Sequence, residues 1–221
     1  FLTLSRLLYT DTVLPQTLKR NCQMFVKRAI DVVCTSLALI CLSPILLAIA
    51  IIVKYSDPKG PIIFKQIRVG QHGKTFTMYK FRSMYMDAEE RKKELEHLNE
   101  TSGPTFKMKN DPRIYPMGRI LRKFSLDELP QLFNILKGDM SIVGPRPPIP
   151  AETATYTSWH NMRLAVKPGL TCIWQVSGRS NISFEDWMRL DNQYIQNNSI
   201  KNDIILIAKT FKVVFKGEGA Y

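Results

Sequence analysis

From Val32 to Val53 the chain runs for 22 residues without a charged side chain, and Ser43-Pro44 stands at the middle of that run. A helix that enters lipid needs about 20 apolar residues, so the run is long enough to be a membrane segment. Proline removes a backbone donor and clashes with the preceding turn, so a kink or break is expected at Pro44, with the Ser43 hydroxyl able to take the freed carbonyl. Lys19, Arg20, Lys27 and Arg28 precede the run, and Lys54, Lys59 and Lys65 follow it. Lys and Arg collect on the cytoplasmic side of a membrane, so a simple span strands one cluster on the wrong side. A bent, re-entrant helix keeps both on one side. The plainer alternative is an ordinary span with a proline kink, which membrane helices tolerate. A cleaved signal peptide does not fit, because the run is too long and no small-residue cleavage site follows it.

Length allows one domain of about 150 residues plus an anchor. The chain begins at Phe1 rather than Met, which leaves open a longer protein with a further N-terminal region. The expected organisation is an amphipathic lead-in over 1–23, a re-entrant membrane helix over 24–55 and a cytoplasmic catalytic domain over 56–221. A net charge of +12 calls for an anionic partner. Beside a membrane segment, lipid headgroups and phosphorylated substrates fit better than nucleic acid. Cys22, Cys34, Cys41 and Cys172 form no CxxC pair and read as small apolar residues in a reducing compartment. His72, His97 and His160 are scattered, which argues against a zinc site.

After the anchor, Asp57-Pro58-Lys59-Gly60-Pro61 reads as a turn. A strand from Ile62, a turn over Gly70–Gly73 and a returning strand over Thr75–Phe81 make a β-hairpin. Between Lys54 and Arg82 seven basic residues face one acidic residue, so the hairpin is a cationic surface. Met86–Glu100 reads as a charged, solvated helix. A second basic block holds Lys107, Lys109, Arg113, Arg119, Arg122 and Lys123. Near the C-terminus, Ile204, Ala208, Phe211 and Phe215 recur at helical spacing opposite Lys209, Lys212 and Lys216. That helix suits either the headgroup plane or a core-facing position.

Between the two basic blocks and the next apolar stripe lies Ser125-Leu126-Asp127-Glu128-Leu129-Pro130. Leu129, Leu132, Phe133 and Leu136 mark a helix that starts here. Asp127 as N-cap, or a Ser125/Glu128 capping box, accounts for these residue types without chemistry. The chemical reading takes an ionised Asp127 among arginines as a nucleophile toward phosphorus. In it Arg119, Arg122 and Lys123 neutralise phosphoryl oxygens. Adjacent helical residues point about 100° apart, so Asp127 and Glu128 take separate roles. Gly138–Pro148 reads as a helix stop, a short strand and a stiff loop whose prolines bracket Arg146, either a preorganised phosphate contact or an exposed arginine. Pro168–Thr171, Gln175 and Ser177-Gly178-Arg179 read as another glycine-bearing loop. No Walker or GxGxxG pattern is present.

These blocks, together with KRAIDVV, GPIIFKQIRVG, FTMYKFRSM, KNDPRI, KPGLT, WQVSGRSN and GEGAY, resemble the bacterial sugar transferase family, the monotopic polyprenyl-phosphate phosphoglycosyl transferases. The resemblance covers roughly residues 24–221. It implies a helix-rich α/β monotopic membrane protein, with a re-entrant helix broken at Ser43 and Pro44, a small β-hairpin and amphipathic interfacial helices at the cytoplasmic face of the bacterial inner membrane. It also implies that Asp127 attacks the sugar-proximal phosphorus of a UDP-sugar, expels UMP and passes the sugar phosphate to undecaprenyl phosphate, in capsule, exopolysaccharide or O-antigen type assembly. Glu128 is implied to assist the acceptor phosphate or the metal, with Mg2+ near Asp127. Lys80, Arg82, Arg122, Arg146 and Arg179 are implied to hold phosphate. Membrane lipids are further partners, nucleic acid is not, and a homodimer is compatible. The chain departs from many relatives at Cys172-Ile173, which follow Thr171, and its WQVSGR block looks like that of hexose-transferring members. Two other readings stay open: a conventional glycosyltransferase that releases UDP, and a basic membrane-anchored binding module without catalysis.

Overall fold

The computed structural model describes residues 2–100, 105–106, 108–178 and 182–216. The apolar run lies within helix α1, Leu2–Ser56, 55 residues long. The break expected at Ser43-Pro44 is not an interruption, since the helix continues through both residues. The local reason is visible: Pro44 cannot donate to the Ile40 carbonyl four residues back, and Ser43 Oγ donates to it instead at 2.8 Å. The stretch Asn21–Ser56 is long and apolar enough to cross a membrane, and only 11% of its most apolar window is buried.

Both halves of α1 rest on the same folded body. On the N-terminal side Gln23 Nε2 donates to the Asn198 carbonyl, and Lys27 pairs with Asp203. Asp31 Oδ1 accepts the Ile142 amide at 3.0 Å, and Ala38, Leu39 and Leu42 pack near Leu132, Ile135 and Met140. On the C-terminal side Ile49 and Val53 are buried with Phe81 and Leu121. The opposite face of α1 leaves Val33, Leu37, Ile40 and Leu47 exposed.

Strands β1 (Ile63–Val69) and β2 (Thr75–Phe81) form the expected antiparallel hairpin, in register from Ile63 opposite Phe81 to Val69 opposite Thr75. The charged segment is shorter as an α-helix than expected: α2 covers Ala88–Leu95 and continues only as a 3-10 turn over Glu96–Leu98. Helix α3 (Pro116–Lys123) starts on a proline and lies close to the end of β2, where a β-carbon at Gly118 would overlap the Ser83 carbonyl oxygen. Helix α4 (Gln131–Lys137) ends at Gly138, whose φ of 90° suits glycine. Two carbonyls at that end accept from Arg28 of α1, Ile135 at 2.6 Å and Leu136 at 2.8 Å. Asn134, fully buried, ties α4 to β2 by accepting the Tyr79 amide and donating to the Thr77 carbonyl.

Strand β3 (Ser141–Val143) pairs in parallel with β4 (Gly169–Thr171). The segment expected to be one glycine-bearing loop is therefore β4 followed by helix α7 (Ile173–Ser177). Between β3 and β4 come the short helices α5 (Pro150–Thr153) and α6 (Ser158–Asn161). Helix α8 (Phe184–Gln196) is capped by Ser183, and α9 (Ile200–Lys216) closes the described chain. Along α9 it is Asp203 and Leu206 that are buried, while Ile204, Ala208 and Phe211 are exposed. The apolar stripe of α9 thus faces away from the core. All four cysteines are free.

Candidate active site

The carboxylate pair is presented by a 3-10 turn, Leu126–Glu128, not by the first turn of α4. Ser125 adopts a left-handed conformation, with φ at 54°, and makes no side-chain cap, while Pro130 is the residue that precedes α4. Neither the Asp127 N-cap nor the Ser125/Glu128 capping box forms, so helix capping does not account for the two carboxylates. Leu126 and Leu129 pack on the cluster of Ile49, Val53, Phe81 and Leu121. With those two leucines on the apolar side, Asp127 and Glu128 line a cavity of about 440 Å³.

The cavity has a strongly cationic wall. Lys80, from β2, donates to Glu128 Oε1 at 2.7 Å, with both side chains partly exposed. Arg122, from α3, and Arg146, from the loop after β3, also line it. Arg119 and Lys123 do not, so of the three upstream cations only Arg122 reaches the cavity. Arg82 lines it too, yet is engaged by Asp57 and by the Pro61 carbonyl, to which Nε donates at 2.7 Å. It thereby ties the end of β2 to the end of α1.

The two carboxyl groups differ in electrostatic state. Asp127 is 7% exposed. Burial pushes its pKa up to about 6, against the pull of Lys80 and Arg122, and the neighbouring Glu128 charge adds to the rise. Burial would raise Glu128 as well, but Lys80, by charge and hydrogen bond, and then Arg146 and Arg122 hold it below the usual carboxylate range. The expectation that Asp127 is held firmly ionised is therefore reversed in emphasis: Glu128 is the firmly ionised member and Asp127 the proton-sensitive one. The two carboxyls thus sit in different surroundings.

Arg146 is fixed from behind. Its carbonyl accepts from Arg163 Nη2 at 2.8 Å, and its guanidinium lies 5.6 Å from the centre of the Trp187 ring. Arg163 is itself buried, bonded to Tyr156 and paired with Asp191 at 2.6 Å. The proline-bracketed Arg146 is thus a built feature and not an exposed loop arginine.

Of the residues singled out from sequence, Asp127, Glu128, Lys80, Arg82, Arg122 and Arg146 all line this one cavity. Ser43 and Pro44 belong to α1 and are not part of it. Arg179 and the closing GEGAY lie outside the described residues. Among the lining residues given no role from the sequence are Arg68, Glu152 and Trp174. Arg68 was legible in principle, because Phe64, Gln66 and Arg68 alternate along β1 and share a face across from Lys80 and its neighbours. Among the described residues no group of three or more His, Cys, Asp or Glu is placed to hold a metal ion. Two adjacent carboxyls facing a phosphate-sized cationic cavity are still a donor set that suits Mg2+, which binds through one or two carboxylates together with substrate phosphates.

The chain is similar to known proteins along most of its length. The family model described as "Bacterial sugar transferase" matches residues 22–217. The chain is 45% identical over 208 residues to the undecaprenyl-phosphate galactose phosphotransferase of Salmonella typhimurium, covering 92% of this chain and 43% of that protein. It is 49% identical over 176 residues to the galactosyl transferase CpsE of Streptococcus agalactiae, covering 79% of this chain and 39% of that protein. It therefore spans about two-fifths of the length of these two relatives. Against the exopolysaccharide production protein ExoY of Rhizobium meliloti it is 41% identical over 199 residues, 88% of each chain.

Proposed function

The chain belongs to the bacterial sugar transferase family, and from that premise we propose that it transfers a hexose 1-phosphate from a UDP-sugar to undecaprenyl phosphate with release of UMP. The observation that carries the proposal is the placement of the adjacent carboxyls Asp127 and Glu128 with Lys80, Arg122 and Arg146 on the wall of one cavity. A hexose, with galactose first, is supported by the relatives named for galactose transfer.

In the first step the deprotonated Asp127 carboxylate attacks the sugar-proximal phosphorus. The bond from that phosphorus to the bridging oxygen breaks, and the electron pair leaves with UMP. In the second step a phosphate oxygen of undecaprenyl phosphate attacks the same phosphorus, and the bond to Asp127 breaks to regenerate the carboxylate. Arg122 and Arg146 stabilise the phosphoryl oxygens through charge-assisted hydrogen bonds. Lys80 keeps Glu128 anionic and lowers the proton affinity of Asp127. Asp127 would hold Mg2+, which would supply charge neutralisation on the phosphoryl oxygens.

Membrane attachment through α1 belongs to the same reading. Gln23, Lys27, Arg28 and Asp31 on one side of Ser43-Pro44, and Ile49 and Val53 on the other, contact one polar body. A transbilayer helix would separate these contacts by about 30 Å of hydrocarbon, which supports a helix that enters and leaves through the cytoplasmic face. The exposed Ile204 and Phe211 of α9 suit the headgroup boundary.

The test is incubation with UDP-galactose, UDP-glucose or UDP-N-acetylgalactosamine and magnesium, with undecaprenyl phosphate supplied or withheld. Release of UMP, and a sugar-phosphate mass adduct on Asp127 when the lipid is withheld, is the expected result. UDP as the released nucleotide would convert the assignment to a conventional glycosyltransferase.

A further inference from the structure

Arg68 is a cavity cation that the proposed chemistry does not use. It lies on β1 and is 6% exposed. Its Nη1 donates to the Pro147 carbonyl at 3.0 Å and its Nη2 to Gln66 Oε1 at 2.6 Å. No carboxylate pairs with it among the described residues, and its buried Nε has no acceptor. Arg146, which lines the same cavity, likewise has a buried Nη1 without an acceptor.

The two guanidinium groups are joined mechanically. The Val69 amide donates to the Pro148 carbonyl at 2.8 Å, so Arg68 and Val69 together clip β1 to the loop that carries Arg146. Two like charges are held in one shielded pocket, and the resulting strain has a direction. Burial, and then the charge of Arg146, lower the Arg68 pKa to about 9, while Glu152 and Glu128 oppose this only through space. A buried cation without a carboxylate partner normally costs stability, and one set in the same cavity as the half-buried Arg146 is best explained by an anion that arrives with a ligand.

We propose that Arg68 and Arg146 form a two-guanidinium cradle for a phosphoryl group, with Arg68 a phosphate-binding residue and not a strut. The proposal rests on the transfer reading for the identity of its ligand: the diphosphate of the nucleotide sugar and the phosphate of the lipid acceptor share this chemistry. Planar guanidinium groups present paired donors that match phosphoryl oxygens.

The experiment measures binding of inorganic pyrophosphate, UDP and undecaprenyl phosphate to the full chain in lipid nanodiscs by calorimetry, with the Tm of the ligand-free protein recorded alongside. Arg68→Met is expected to weaken pyrophosphate binding roughly 10- to 100-fold while leaving the ligand-free Tm unchanged or higher. Arg68→Lys, which keeps the charge and loses the fork, is expected to fall between. Unaltered pyrophosphate affinity in either folded variant overturns the proposal, as does weakened binding accompanied by a Tm loss of several degrees in both, the signature of a strut. When pyrophosphate binding is weakened, a parallel loss for UDP and not for undecaprenyl phosphate assigns the cradle to the donor, and the converse assigns it to the acceptor. Were the unmodified chain to release no UMP from any UDP-sugar while Arg68→Met still lost pyrophosphate, the transfer reading would fail and the cradle would stand.

Discussion

Lys80 Nζ donates to Glu128 Oε1 at 2.7 Å, and the residue beside Glu128, Asp127, receives the field of that cation without bonding to it. That one cation lowers the proton affinity of both carboxyls, and burial outweighs it at Asp127. Lys80→Met should remove the downward pull on both. Turnover should fall on the order of 100-fold, and the loss should exceed any change in KM for the nucleotide sugar.

The rate of adduct formation should follow the ionisation of Asp127. Attack needs the carboxylate, and its pKa lies at about 6. The rate should therefore climb about tenfold per pH unit on the acid side of that value and level off above it. In Lys80→Met the bend should move to higher pH, because the cation that favours the charged form is gone. Single-turnover quench measurements across roughly pH 5 to 8 would show it.

Asp127→Asn should abolish turnover, by about 10,000-fold, and should also stabilise the fold. A carboxyl whose folded pKa lies near 6 and whose unfolded value is about 3.9 favours unfolding when ionised. That penalty is complete above the folded pKa, shrinks as pH falls through the interval, and is absent below the unfolded pKa. The amide should raise Tm by about 3 °C or more at neutral pH, with the gain vanishing toward pH of about 4. Differential scanning calorimetry at the two pH values is the measurement.

The ends of α1 should label from one side. Cys22 is exposed ahead of the apolar run, and Tyr55 is exposed after it. With Cys34 and Cys41 replaced by serine, an impermeant maleimide should reach Cys22, and cysteine placed at Tyr55, in inverted vesicles and neither in intact spheroplasts. One site labelled in each preparation would establish a span.

Asp191→Ala leaves Arg163 buried without its partner. Breaking such a pair costs about 3–5 kcal/mol, which denaturant titration would register. Arg163 also holds the Arg146 carbonyl, so residual activity should show a raised KM for the nucleotide sugar.

The hairpin was readable because alternation and a Gly70–Gly73 turn are local properties, and the structure returns it with Lys80 on the cavity side. The Asp127-Glu128 pair was readable as a candidate site, and both residues do line the cavity, but its backbone was not readable. A left-handed Ser125 is dictated by how Leu126 and Leu129 meet α1, a contact more than 70 residues away in sequence. For the same reason Arg82 looked like Lys80, two positions earlier, until Asp57 was seen to claim it. Strand β4 spans only Gly169–Thr171, and its partner β3 lies more than 20 residues upstream, so no local pattern announces it. Arg68 needed the strand register before its side of the hairpin could be known.

Leu126 and Leu129 pack on the cluster that holds Ile49 and Val53, so the turn bearing the proposed nucleophile is footed on the long apolar helix. With α1 seated in a bilayer, as proposed, the height of Asp127 would be gauged by that helix, much as a plumb line is set by its hook. A polyprenyl chain lying among the acyl tails would then present its phosphate at a depth this geometry already fixes, with no need for the catalytic body to search along the membrane normal.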